Sequence, residues 1–291
     1  MGESSELKIG LIGFGEVGAT FSRGWRNARR GLSISAFDIV WSEPRRAQAQ
    51  ELQVRIAPSV EELVDSSSVV LCAVVPQAAC DAARSAAPFL NARHLYVDLT
   101  SVGPAKAGDI AGIVGAQGAA FAKLALMGAV AAFGYAVPCA ASGKGAGQLA
   151  EHLIALGMNV KVLNDDPAAA ATLKLCRSLF QKGFVALALE ALRVAKKNGI
   201  EREVIASLAE TWNAEKFDAA LNRLICSSAV HAARRAAELD EAITAFGELD
   251  VALPVAQACR GAFQELIELQ ASHNFEKAPQ DLRQVLDALD K

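Results

Sequence analysis

Residues 7 to 18, Leu-Lys-Ile-Gly-Leu-Ile-Gly-Phe-Gly-Glu-Val-Gly, set a short apolar run directly against Gly13, Gly15 and Gly18. Few folds accept that arrangement. Gly13 permits a tight turn after a strand, Gly15 lets backbone approach a pyrophosphate, and Gly18 lets a helix pack on the strand. Amides at the helix start then hold phosphate charge. Phe14, Glu16 and Val17 lie between the glycines and share the cradle. The triplet alone would suit any tight turn; the strand before it and the helical pattern after it point to a dinucleotide.

The residues that follow extend the pattern. Runs at 7–13, 33–39, 52–56, 68–75, 93–98, 119–126 and 158–163 read as strands, alternating with Ala-rich helical stretches. That alternation predicts a parallel sheet. Ser-Val-Val-Leu-Cys-Ala-Val-Val (68–75) is apolar almost throughout, as expected of a strand covered by helices on both faces. After Asn164-Asp165-Asp166-Pro167 an acidic cap and a proline open some thirty residues of helix, ending at Lys197-Asn198-Gly199. Helical periodicity continues over 201–211, 214–225, 229–246 and 251–271, with a cap near His273-Asn274. The expected fold is therefore α/β: a doubly wound, mostly parallel Rossmann sheet over 1–164, a long interdomain helix, and an all-α domain over 165–291.

Several function classes drop out. The net charge of -3 offers no basic field for nucleic acid, and 52% hydrophobic with 21% charged residues excludes a disordered chain. Six cysteines are scattered singly, with no His at metal spacing, so neither a disulfide nor a metal site is expected. Residues 110–142 are apolar but interrupted by Gln117, Lys123 and Pro138, so no membrane span is expected. The polar, acidic opening Met-Gly-Glu-Ser-Ser-Glu lacks a secretory pattern, and a cytoplasmic location is the expectation.

Asp38 ends the second strand, 25 residues after Gly13, where an acid accepts hydrogen bonds from an adenosine ribose. This tilts the cofactor toward NAD. Arg45 and Arg46 could instead meet a 2'-phosphate and keep NADP open, or simply form a solvated helix start.

Taken with Ala-Val-Val-Pro (73–76), Val-Asp-Leu-Thr-Ser-Val-Gly-Pro (97–104) and Leu-Lys-Leu-Cys-Arg-Ser (173–178), the glycine turn resembles that of the β-hydroxyacid dehydrogenases. That family includes 3-hydroxyisobutyrate and decarboxylating 6-phosphogluconate dehydrogenases, and the resemblance covers nearly the whole chain. Leu-Met-Gly-Ala-Val (126–130), Gln-Lys-Gly (181–183) and His-Ala-Ala-Arg-Arg-Ala-Ala-Glu (231–238) look like a phosphogluconate-dehydrogenase-like branch. The resemblance implies that Val74, Val75 and Pro76 line the cofactor site, and that Thr100 and Ser101 match a Ser-Thr pair beside nicotinamide and substrate. Ser101 would equally serve as a helix cap before Pro104.

In the same family a lysine on the interdomain helix, followed four residues later by Asn, transfers the proton, and Lys174 matches it. The residues support this independently. Lys174, Arg177, Ser178, Gln181 and Lys182 form one polar stripe on an otherwise apolar helix, which is expected to be buried on most sides, so that the stripe lines a cleft. A solvated face is the alternative. Taking hydride from an alcohol carbon requires the hydroxyl proton to leave, and a lysine accepts it when burial or neighbouring cations lower its pKa.

Two positions depart from the pattern. The family's Asp-Ala-Pro-Val-Ser-Gly-Gly segment is Lys123-Leu-Ala-Leu-Met-Gly-Ala here: Gly128 survives, but Met127 replaces the serine that holds a carboxylate. A drier pocket wall, open to a bulkier apolar group, follows. Ser178 replaces the lysine's Asn partner. His231, Arg234 and Arg235, or Lys182, offer alternative anion-binding groups, with a solvated basic patch as the other reading of the first three.

The expected activity is NAD(P)-dependent hydride transfer at the alcohol carbon of a hydroxyacid-like substrate, with Lys174 as general base and Ser178 and Thr100 orienting the substrate. A catalytically silent NAD(P)-binding regulator, or an imine reductase on the same scaffold, stays open; imine reducers of similar fold generally place an acid or tyrosine at the lysine position. The Ala-rich helical half predicts a homodimer.

Overall fold

The structure is a computed structural model that describes residues 7–273, 275 and 277–290, with side chains of residues 271–273 excepted. The opening hexapeptide and Asn274 of the expected final cap lie outside the described residues. Two compact units emerge, one ending at Ser178 and the other starting at Leu179. The division falls within the long helix rather than at the expected 164/165 boundary. The first turns of that helix belong with the sheet: Ala170 packs with Ala125 and Ala140, and Ala171 joins the sheet core.

In the first unit β1 (Lys8–Ile12), α1 (Glu16–Ala28), β2 (Ser33–Phe37), α2 (Glu43–Glu51), β3 (Arg55–Ile56), α3 (Val60–Asp65), β4 (Val69–Cys72), α4 (Ala79–Ala86), β5 (Leu95–Asp98), α5 (Pro104–Gly115) and β6 (Ala120–Leu126) follow in turn. Then come α6 (Val130–Phe133), β7 (Cys139–Ser142), α7 (Ala146–Ala155), β8 (Val160–Val162) and the start of α8 (Ala169–Lys197). The eight strands lie in the order 3-2-1-4-5-6-7-8. The sheet is parallel except for the β6–β7 pair. Strand order reverses on either side of β1, so the carboxyl ends of β1 and β4 open a crevice suited to a ligand. Two cores sandwich the sheet: Phe14, Phe21, Trp25 and Leu71 on one face, Leu63, Val70, Tyr96 and Ile110 on the other. The seven expected strand regions all contain strands. The eighth, β7, is an addition: Cys-Ala-Ala-Ser is weak strand sequence and pairs antiparallel with β6 through the Lys123↔Ser142 to Leu126↔Cys139 register.

The second unit contains the rest of α8, α9 (Glu201–Asn213), α10 (Phe217–Gly247), α11 (Pro254–His273) and α12 (Leu282–Leu289). The expected helices 214–225 and 229–246 are one element, α10, bent at His231, whose φ of -115° and ψ of 21° leave the helical region. The helix α12 is new, with Asp281 capping it by accepting from the Arg283 amide at 2.9 Å. Glu190 of α8 is buried and accepts the Val255 and Ala256 amides at 2.7 and 3.0 Å, fastening the start of α11.

Contrary to the expectation of burial on most sides, α8 carries a broad exposed apolar surface: Leu175, Leu179, Phe180, Phe184, Val185, Leu187 and Leu189. Among the described residues no helix is long and apolar enough to cross a membrane.

Candidate active site

The glycine turn has the form its sequence implies. Gly13 adopts φ +94°, open to glycine and costly for other residues, and an added Cβ would lie 2.8 Å from the Ala73 carbonyl oxygen. Gly15 caps α1 with no side-chain bond, and nothing lies within 4 Å of where its Cβ would be. A Cβ on Gly18 would press on the Gly13 oxygen at 3.2 Å. The cradle therefore presents bare backbone and the free amides of a helix start to its ligand. Phe14 is buried beneath it, Val17 half-buried, and Glu16 exposed.

Beside the turn, a cavity of about 540 Å³ runs over the carboxyl ends of β1, β2 and β4, bounded by Gly13, Gly15, Asp38, Val40, Arg45, Val74 and Val75. Its size and its apolar walls suit a nucleotide half. Pro76 continues the Val75 edge and is exposed. The residues present thus fit a dinucleotide.

Asp38 does more than the sequence suggests. Its carboxylate accepts the Phe14 amide at 2.8 Å and the Val40 amide at 3.0 Å, so it clamps the glycine turn to the end of β2. Arg45 lies 3.7 Å from the same carboxylate and donates to the Val40 carbonyl at 3.3 Å. Trp41 stacks on Phe14 at 5.6 Å, and the Arg46 guanidinium sits 5.9 Å from the Trp41 ring. None of these pairings follows a spacing rule, although an aromatic beside two arginines was a visible cue.

The second cluster forms where β5 leaves the sheet. Lys174 of α8 donates from Nζ to Ser101 Oγ at 2.8 Å, across 73 residues of sequence. Burial, and then the positive charge of Lys123, push the Lys174 amine below the ordinary lysine range, while Asp98 pulls it back. Thr100 is buried and its hydroxyl has no hydrogen-bond partner among the described residues, whereas Ser101 is exposed and is the residue that reaches Lys174. Arg177, one turn on, donates to the Met127 carbonyl at 3.1 Å, and the Met127 side chain packs with Ala125, Ala140 and Ala170. Gly128 is half-buried; an added Cβ would strike the Phe133 ring at 2.9 Å. Ser178 is half-buried on the same helix.

The remaining candidates belong to the second unit. Lys182 is exposed, and His231 stands exposed at the bend of α10. Arg234 pairs with Glu238 at 2.6 Å, and Arg235 donates to Ser228 and Ser227 at 2.9 and 3.1 Å. Arg234 and Arg235 therefore have local partners, and Arg235 bridges the two sides of the bend.

Residues 8–102 match the family described as NADP oxidoreductase, coenzyme F420-dependent, and residues 195–266 match a domain of unknown function. An uncharacterized 28.5 kDa protein of Methanothermus fervidus is 30% identical over 235 residues, spanning 81% of this chain and 89% of its own. A solved protein of unknown function, noted for structural similarity to 3-hydroxyacid dehydrogenases, is 28% identical over 90% of this chain and 97% of its own, with a TM-score of 0.65. The chain belongs to the same family as the Methanothermus fervidus protein, and its fold is similar to that of the 3-hydroxyacid dehydrogenases. It carries the scaffold of an NAD(P)-dependent oxidoreductase. The fold also extends to an imine reductase of Aspergillus terreus, 18% identical over 91% of this chain and 95% of its own, with a TM-score of 0.75.

Proposed function

We propose that this family member moves hydride between a nicotinamide cofactor and the alcohol carbon of a hydroxyacid-like substrate, with Lys174 as the general acid/base. One observation carries this: an amine held below its ordinary pKa range, hydrogen-bonded to Ser101 at the carboxyl end of the central sheet. A neutral amine there accepts the hydroxyl proton as the carbon is oxidised, and an ammonium returns it in reduction. The nicotinamide, when bound, supplies the hydride acceptor or donor.

In this reading Gly13, Phe14, Gly15, Glu16, Val17 and Gly18 hold the pyrophosphate, and Asp38 faces the adenosine ribose. Val74, Val75, Pro76 and Thr100 border the nicotinamide end. Ser101 and Ser178 orient the hydroxyl beside Lys174. Met127 and Gly128 make an apolar wall that suits a bulky group. NAD is the preferred cofactor on Asp38, although Arg45 beside it also suits NADP. The exposed apolar surface of α8 supports a homodimer, and the scattered unpaired cysteines support a cytoplasmic setting.

The test is turnover of a panel of 2- and 3-hydroxyacids and cyclic imines with NAD and with NADP, on wild type and Lys174→Ala. Oxidation of a hydroxyacid that Lys174→Ala abolishes is the expected result. Reduction of imines alone, unaffected by Lys174→Ala, overturns the proposal. Tight cofactor binding without turnover of any substrate favours the silent regulator.

A further inference from the structure

A buried ion pair lies beneath the Ser101–Lys174 contact. Asp98, the last residue of β5, is the register partner of Lys123 in β6. Lys123 Nζ is 2.8 Å from Asp98 Oδ2, and it also donates to the Asp98 carbonyl at 3.2 Å and to the Thr100 carbonyl at 2.5 Å. An ammonium has three protons to give, and all three are placed. The second Asp98 oxygen accepts the Thr100 amide at 2.9 Å. The side chains are 1% and 0% exposed.

Stability does not explain such a pair, because a well-packed apolar replacement is often neutral or better. Its geometry does. Four hydrogen bonds converge on Asp98 to Thr100, the three residues that immediately precede Ser101. The same segment of β6 runs on to Met127, whose carbonyl receives Arg177 from α8. Lys123 is thus the joint between the β5 exit and the strand that carries the site's apolar wall.

We propose that Lys123 is a positioning residue: its buried ammonium, paired with Asp98 and bonded to the Thr100 carbonyl, fixes the exit of β5 so that Ser101 meets Lys174, and it places a charge behind the lysine amine. The inference rests on the catalytic reading of Lys174. The groups that face Lys174 are Lys123 from β6, Asp98 from β5 and Cys139 from β7, with Arg177 on its own helix turned to the Met127 carbonyl. Among these, Lys123 is the one cation on the sheet side, and its influence on Lys174 exceeds the opposing influence of Asp98.

The experiment reads the Lys174 amine itself, without cofactor or substrate. Full-length protein is labelled with a limiting amine acylating reagent across pH, and the half-labelling pH of Lys174 is taken by peptide mass spectrometry. The double variant Asp98→Asn with Lys123→Met removes both charges together and leaves no uncompensated ion. Lys123→Gln is the second variant, in which an amide still bridges toward Asp98 and Thr100. In both, the half-labelling pH of Lys174 is expected to rise by about half a unit, roughly a threefold loss of neutral amine below the midpoint. Labelling of Lys174 that follows the wild-type curve in either folded variant overturns the proposal. Failure here with turnover still abolished in Lys174→Ala removes only the role of Lys123, whereas full turnover in Lys174→Ala removes the catalytic reading whatever the labelling shows.

Discussion

Replacing Asp38 by Asn separates two roles that the carboxylate could have. If it served only a bound ribose, the protein without cofactor would not notice the change. The structure instead has it accepting two backbone amides, from Phe14 at 2.8 Å and Val40 at 3.0 Å, with its side chain 13% exposed. An amide has one oxygen, so one of the two N–H groups turns to face an NH₂, and the attraction to Arg45 is lost. Leaving one such donor unsatisfied costs about 1 to 3 kcal/mol, and solvent near the site keeps the value near ~2 kcal/mol. For a unit of this size that corresponds to a fall in Tm of roughly 4 to 8 °C. Thermal unfolding followed by circular dichroism, with no cofactor added, measures it directly. An unchanged Tm would refute the turn-clamp argument and return Asp38 to the ribose alone. Because the clamp also shapes the glycine turn, the variant should lose affinity for NAD and NADP alike, rather than switch between them.

Three further outcomes follow from local geometry. Gly13→Ala combines a left-handed φ, at about 1 to 2 kcal/mol, with a clash on the Ala73 oxygen; it should lower Tm and abolish cofactor binding by calorimetry, and retained binding would count against the cradle. Glu190→Ala leaves two amides at the start of α11 uncapped, so urea unfolding of the helical unit should move to lower midpoint by about 2 kcal/mol of stability, against no change if the carboxylate is incidental. Lys174 must be neutral to act as base, and burial holds its pKa below the ordinary lysine range, so kcat/KM for oxidation should rise with pH along a limb that plateaus below that range, with the opposite slope for reduction; a flat profile argues for another base.

Much of the sheet was legible because its physics is local. A parallel strand buried on both faces must be apolar without alternation, and Val69–Cys72 could hardly be anything else. Cys139–Ser142 was hidden for the converse reason: three small residues and a thiol say little about strand formation, and only the neighbouring edge of β6 recruits them. The length of α10 was obscured at Cys226-Ser227-Ser228, whose small polar residues read as a gap between two helices, whereas the bend falls at His231, inside the second of them. In the candidate site, Lys174 and the glycines were visible through spacing and resemblance. The partners were not. That Lys174 meets Ser101, that Asp38 holds the glycine turn, and that Lys123 lies against Asp98 are products of the strand register and of the start of α8 packing on the sheet. A lone lysine inside an apolar strand and a lone aspartate ending its neighbour were nonetheless a signal of complementary burial. The apolar residues of α8 illustrate the limit of periodicity: it showed a hydrophobic helix, and a single chain leaves much of that surface exposed.

The central claim is that Lys174 moves the proton, and its most direct test is the single-turnover rate of hydride transfer in Lys174→Met, with a hydroxyacid substrate and saturating cofactor. The rate should fall by about 10² to 10⁴-fold with cofactor affinity unchanged, and a small primary amine added in solution should restore part of it. Hydride transfer at the wild-type rate, with no response to added amine, would contradict the assignment of Lys174.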